Sequence, residues 1–147
     1  MSVKDKRYKY DIFINQFACV ENGFNLDIID LAIFCYIKDF STTNECLKIH
    51  TPEGIYFWIS HSKLLDEMPL LNIKTKQGLI KRINKLIENK IFEKHKRCEY
   101  YAKTLYKTGL NYDKLMFTDF RNIKGEQEFT ALNKSLETPL TKVDGTL

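Results

Sequence analysis

The segment IKTKQGLIKRINKLIENKIFEKHKR, Ile73 to Arg97, holds nine Lys or Arg against two Glu, a local net charge of +7. The whole chain carries only +4, so everything outside this segment sums to −3. Within it Leu79, Ile80, Ile83, Leu86 and Ile87 fall on one face of a helical wheel. Thr75 is a natural cap, and the spacing predicts a helix over Lys76 to Asn89. The opposite side carries Gln77, Lys81, Lys85 and Glu88, flanked by Arg82 and Asn84. These are side chains that pair with base edges and phosphates. Lys74 and Lys76 stand beside the helix start, where free backbone N–H groups suit a phosphate. A lysine-rich face opposite an apolar stripe is also what a plain solvated helix looks like, so the neighbouring elements decide between the two readings.

Upstream, HSKLLDEM reads as a short helix capped by Ser60 and ended by Pro69, separated from the basic helix by the tight apolar turn PLLNIK. Downstream the period changes. IFEKHK, a polar tip at Arg97, Cys98 and Glu99, and YYAKTLYK are rich in β-branched and aromatic residues and predict a hairpin with Lys94, Lys96 and Arg97 near its tip. Further back, apolar residues recur from Leu26 to Phe40 and surround most of that helix, for which Asn25 is the expected cap; it should be the spine of the core. CLKIH and IYFWIS flank a Pro-Glu-Gly turn and predict another hairpin, Cys46 to Ile59. Residues 8–24 read as an irregular lead-in with a short helical turn. Asn111 is the expected cap of a last short helix, NYDKLMF. The chain divides into a folded domain over 1–120 and a polar tail over 121–147, expected to be mobile.

The order helix, hairpin, helix, tight turn, basic helix, hairpin is that of a winged helix-turn-helix, whose second helix enters the DNA major groove. The fold class expected is therefore α+β, mainly α, a winged helix-turn-helix with an extra β-hairpin between its first two helices. Double-stranded DNA is the expected partner. The expected contacts are Lys74, Thr75, Lys76, Gln77, Gly78, Lys81, Arg82, Asn84 and Lys85, with Lys94, Lys96 and Arg97 on the wing. Gly78 is the odd residue of the helix: there glycine costs up to about 1 kcal/mol relative to alanine. A close approach of backbone to DNA would explain it, neutral drift would too, and Gly78→Ala is expected to raise stability.

The runs FNLDIIDLAIFCYIKDF (24–40) and FWISHSKLLDEMPLLNIKTKQGLIKRINKLIENKIFEK (57–94) resemble the N-terminal winged-helix domain of phage and plasmid replication-initiation proteins of the replisome-organiser, DnaD-like type. The resemblance covers Phe24 to Phe117. It rests on Trp58-Ile59-Ser60 leading into a short helix, on the turn Pro69 to Lys76, and on Arg82 and Leu86 in the following helix. It implies a recognition helix over 76–89, a wing over 91–107, and a part in replication initiation or replisome assembly of a mobile element. It also implies self-association through the extra hairpin, hence a homo-oligomer, with other replication proteins as further partners. The plainer account of Ile55 to Trp58 is that they pack on the first helix. A transcriptional regulator, or a winged helix used only to bind proteins, fits the same pattern.

Other chemistry finds little support. His50, His61 and His95 are dispersed, Asp66 with Glu67 is a lone acidic pair, and no motif of a hydrolase, zinc protease or nucleotide-binding loop occurs. Neither catalysis nor a cofactor is expected. Cys19, Cys35, Cys46 and Cys98 have no metal-ligand spacing and fit free thiols in a reducing cytosol. The longest apolar run, Leu31 to Ile37, is far short of the ~20 residues of a membrane span. Tyr100, Tyr101 and Tyr106, alternating with Lys103 and Lys107 on the expected strand, would offer a stacking platform for single strands or simply pack on their neighbours.

Overall fold

The computed structural model describes residues 8–116. The lead-in is extended to Asn15, whose side chain accepts from the Ala18 N–H and caps α1 (Gln16–Glu21). α2 (Ile28–Ser41) starts two residues later than expected, because Asp27 and Asp30 form a reciprocal capping box. The Asp30 N–H donates to Asp27 at 2.9 Å and the Asp27 N–H donates to Asp30 at 3.0 Å. The N–H of Asn25, the expected cap, instead donates to the Asn89 side chain. Every residue from Asp30 to Ile37 is buried, so α2 is the spine that its sequence calls for.

β1 (Lys48–Thr51) and β2 (Gly54–Trp58) form the first hairpin around Pro52 and Glu53. Gly54, with φ +131°, adopts a backbone conformation that side chains resist. α3 (His61–Glu67) follows its Ser60 cap, then a single 3₁₀ turn, Pro69–Leu71, closed by Asn72 in the left-handed region. α4 (Lys76–Glu88) begins at Thr75, whose hydroxyl accepts from the Gly78 N–H at 3.0 Å. β3 (Phe92–Lys94) and β4 (Leu105–Thr108) form the second hairpin, and α6 (Tyr112–Met116) closes the described chain.

The second hairpin departs from expectation at its tip. Cys98 to Tyr101 form a helical turn, α5, ended by left-handed Ala102, and the returning strand starts only at Leu105. Cys98 holds this loop in place: its thiol donates to the His95 carbonyl at 3.2 Å and accepts from the Leu105 N–H at 3.4 Å. Tyr100 and Tyr101 therefore leave the strand, and the alternating tyrosine platform is not formed.

The result is an α+β fold, about half helical, with one antiparallel sheet of four strands in the order β1-β2-β4-β3. Phe57 pairs with Tyr106 and Trp58 with Leu105, so the two hairpins share a single sheet. Its inner face meets α2 and α4 through Phe57, Phe92 and Tyr106, packed with Ile33, Ile37, Leu64, Leu79, Ile83 and Leu86. Phe92 is the centre of an aromatic cluster with Phe34, Phe57 and Tyr112. No helix of the described residues is long and apolar enough to cross a membrane. The expected tail over 121–147 lies outside the described residues, as do residues 117–120 of the expected domain.

The junction after α4 explains one glycine. The Ile91 N–H donates back to Leu86, while Gly109 and Asn111 donate to the Ile91 and Lys90 carbonyls, each at 2.8 Å. A Cβ on Gly109 would lie 2.4 Å from the Lys90 carbonyl oxygen. Backbone cannot retreat as a flexible side chain does. Gly109→Ala should thus cost about 1–3 kcal/mol and lower Tm by roughly 5–15 °C in thermal denaturation. An unchanged Tm would mean that the junction has slack this packing does not show.

Candidate nucleic-acid interface

α4 divides its residues sharply. Leu79, Ile83 and Leu86 are fully buried, while Gln77, Lys81, Asn84 and Glu88 make one exposed stripe along its outer side. Lys74, Thr75 and Lys76 are exposed at the N-terminal end of the helix, with the Thr75 hydroxyl occupied as cap. On the second hairpin Lys94, Lys96 and Arg97 are exposed. Arg97 is drawn toward Glu53, 3.9 Å away, and lies over the Tyr100 ring. Burial first, and then the charges of Lys76 and Lys94, lower the pKa of the His61 ring.

Arg82 and Lys85 do something else. Arg82 bonds both Asp27 oxygens at 2.7 and 2.8 Å and reaches Asp30 at 3.1 Å, and Lys85 pairs with Asp30 at 2.5 Å. Asp30 is 0% exposed. An ionised carboxylate in that position is tolerable only because two cations and the Asp27 N–H surround it. Burial works to raise the Asp27 carboxyl, but the Arg82 hydrogen bonds, the Asp30 N–H and the charges of Arg82 and Lys85 outweigh it and hold its pKa down to about 2. The wheel puts Lys85 on the outer side with Lys81; it sits instead on the flank of α4 that faces the start of α2, and Lys81 projects outward.

Gly78 lies on that same flank. A Cβ there would stand 3.3 Å from both the Ile73 side chain and the Thr75 hydroxyl. The glycine thus makes room for the incoming turn to fold over the first turn of the helix. This is a reason internal to the protein for a small residue here, and it stands beside neutral drift and close approach to DNA.

His61, dispersed in sequence, is half-buried at the start of α3, with its Nε2 3.1 Å from the Tyr106 hydroxyl. His95 is buried edge-on to the Tyr56 and Tyr101 rings, with Nε2 2.9 Å from Glu53. Such a histidine supports the hairpin instead of facing a ligand. All four cysteines are free thiols. Among the described residues no group of three or more His, Cys, Asp or Glu converges as metal ligands would. Away from α4, an apolar groove of about 510 Å³ runs between the lead-in, the start of α2 and the turn Pro69–Leu71, lined by Ile12, Ile28, Ile29, Met68 and Leu70 among others. Comparisons with protein-family models, curated proteins and solved structures found no match.

Two outcomes follow from the flank that meets α2. Lys85→Glu should destabilise the fold by about 3 kcal/mol or more, because it sets a second carboxylate against Asp30. Lys81→Glu should stay within about 0.5 kcal/mol of the parent. Urea denaturation reads both, and equal midpoints for the two variants would remove the ion-pair cluster from the account. Gly78→Ala, with about 1 kcal/mol of helix propensity set against pressure on Ile73 and on the cap, should leave Tm level or lower it. A clear rise in Tm would show that Ile73 yields freely.

Proposed function

We propose that this chain is a winged helix-turn-helix that binds double-stranded DNA. α3, the 3₁₀ turn and α4 would form the helix-turn-helix, and β3 and β4 the wing. The observation that carries the reading is the set of exposed donors on α4 and the hairpin it packs against: Gln77, Lys81 and Asn84 on the outer stripe, Lys74 and Lys76 at its start, and Lys94 and Lys96 on the hairpin. Lys74, Lys76, Lys81, Lys94 and Lys96 form no ion pair among the described residues. Five lysines on one surface are suited to a row of phosphates, while Gln77 and Asn84 are suited to base edges. Arg82 and Lys85 act at one remove, by fixing the roll of α4 so that this stripe faces outward.

The resemblance to replication-initiation proteins supports a role in replication initiation or replisome assembly of a mobile element. A transcriptional regulator would use the same surface in the same way. Recovering bound fragments from a genomic pool separates the two, since clustering at replication origins favours the first and at promoters the second. The reading as a protein-interaction module is favoured by a different observation: Leu70, 91% exposed, borders the apolar groove.

A salt titration decides between DNA and protein as partner. Neutralising about five phosphates gives a slope of log K against log salt of about −4 to −5. Fluorescence anisotropy with a labelled duplex from low to moderate salt should return that slope, and Lys81→Glu should weaken binding by about tenfold or more while remaining folded. Absence of binding at low salt, or a folded Lys81→Glu protein with parental affinity, would sink this assignment.

A further inference from the structure

Three elements meet at His61. The ring opens α3; its Nε2 lies 3.1 Å from the hydroxyl of Tyr106 on β4. Lys94 on β3 is the cross-strand partner of Tyr106, so the two side chains rise from the same face of the sheet. Lys76 opens α4, which packs against both α3 and β3. The charges that act on the ring are Lys76 from α4 and Lys94 from β3, and its hydrogen-bond partner is Tyr106 from β4. Burial pushes the Tyr106 hydroxyl well above its ordinary pKa, so it stays protonated.

This is an unusual place for a histidine. Burial first, and then the two lysines, lower its pKa. In the free protein the ring is therefore neutral at physiological pH, its Nε2 sharing a hydrogen bond with the Tyr106 hydroxyl. A phosphate drawn in by Lys76 and Lys94 supplies the missing negative charge. It offsets part of the positive field of the two lysines and favours the imidazolium.

We infer that His61, Lys76 and Lys94 together form a phosphate-binding site that takes up a proton at His61 when the phosphate arrives. The source of that phosphate rests on the DNA reading above: it would be a backbone phosphodiester contacted where the start of α4 and the wing converge. The chemistry of the site itself is that of any phosphate group. The sign of the linkage follows: a ring whose pKa rises on binding makes the complex tighter as pH falls through the interval between the free and the bound values, and flat on either side of it.

The test is an NMR titration of the His61 ring resonances, assigned by their loss in His61→Gln, over pH 4.5 to about 8.5. It is run on the full chain alone, with a duplex, and with tripolyphosphate. The expected result is a rise in the His61 pKa of about one unit with duplex, and a rise with tripolyphosphate as well. In the free protein Lys94→Met should also raise it, by removing the repulsion, and should blunt the further rise on adding ligand. Duplex binding that leaves the His61 titration unmoved overturns the site while the DNA reading stands. A rise with tripolyphosphate in a protein that does not bind duplex upholds the site and removes DNA as its ligand. No movement with either overturns the site outright.

Discussion

The buried carboxylate of Asp30 sets the terms for everything that α4 does. It lies on the spine helix with no exposure to water, and its neutralisation comes from Arg82 and Lys85 on α4. Leu79, Ile83 and Leu86 would tolerate a modest roll of the helix, because apolar packing is non-directional. Two cations one turn apart, each tied to the Asp27–Asp30 pair, would not. Ion pairing at the start of α2 therefore does for orientation what the hydrophobic face cannot. The outward direction of Gln77, Lys81 and Asn84 is a consequence of where Arg82 and Lys85 are tied.

Much of this architecture is written openly in the chain. The caps at Ser60 and Thr75, the stop at Pro69 and the recurrence of Leu79, Ile83 and Leu86 specify α3, the turn and α4, because helix ends and apolar periods are local properties. The first hairpin is equally legible from its Pro-Glu-Gly turn. What escapes is whatever depends on a partner far along the chain. A helical wheel knows the apolar side of α4 but not that one polar flank meets two aspartates from α2, some 55 residues earlier in sequence for the Arg82–Asp27 pair. The capping box was a readable signal, since Asp27 and Asp30 stand at the required spacing; Asn25 competed for the same role and loses because it has no acidic residue three positions on.

The tip of the second hairpin and the place of His61 fail for the same reason. YYAKTLYK has strand composition, yet the bonds of Cys98 to His95 and Leu105 turn the tip into a helical loop, and no local propensity announces a thiol that staples a loop. His61 is one of three scattered histidines until the sheet brings Tyr106 and Lys94 to it. Gly78 belongs in this group too. Its neighbours Ile73 and Thr75 are close in sequence, but the contact between them depends on the left-handed residue Asn72, which swings the turn back over the helix.

The first hairpin has a consequence for solubility. Without β1, the open edge of the sheet on that side would be β2, whose sequence GIYFW is aromatic-rich and regular, the kind of edge that recruits further strands from other molecules. Adding β1 moves Gly54–Trp58 to an interior position and leaves Lys48–Thr51 as the rim, only four residues long and with the side chains of Lys48 and His50 in water. On the far side the rim is β3, three residues with Glu93 and Lys94 exposed. Both margins are short and charged. The additional strand works as a selvedge, keeping the woven edge of the sheet from catching on its neighbours.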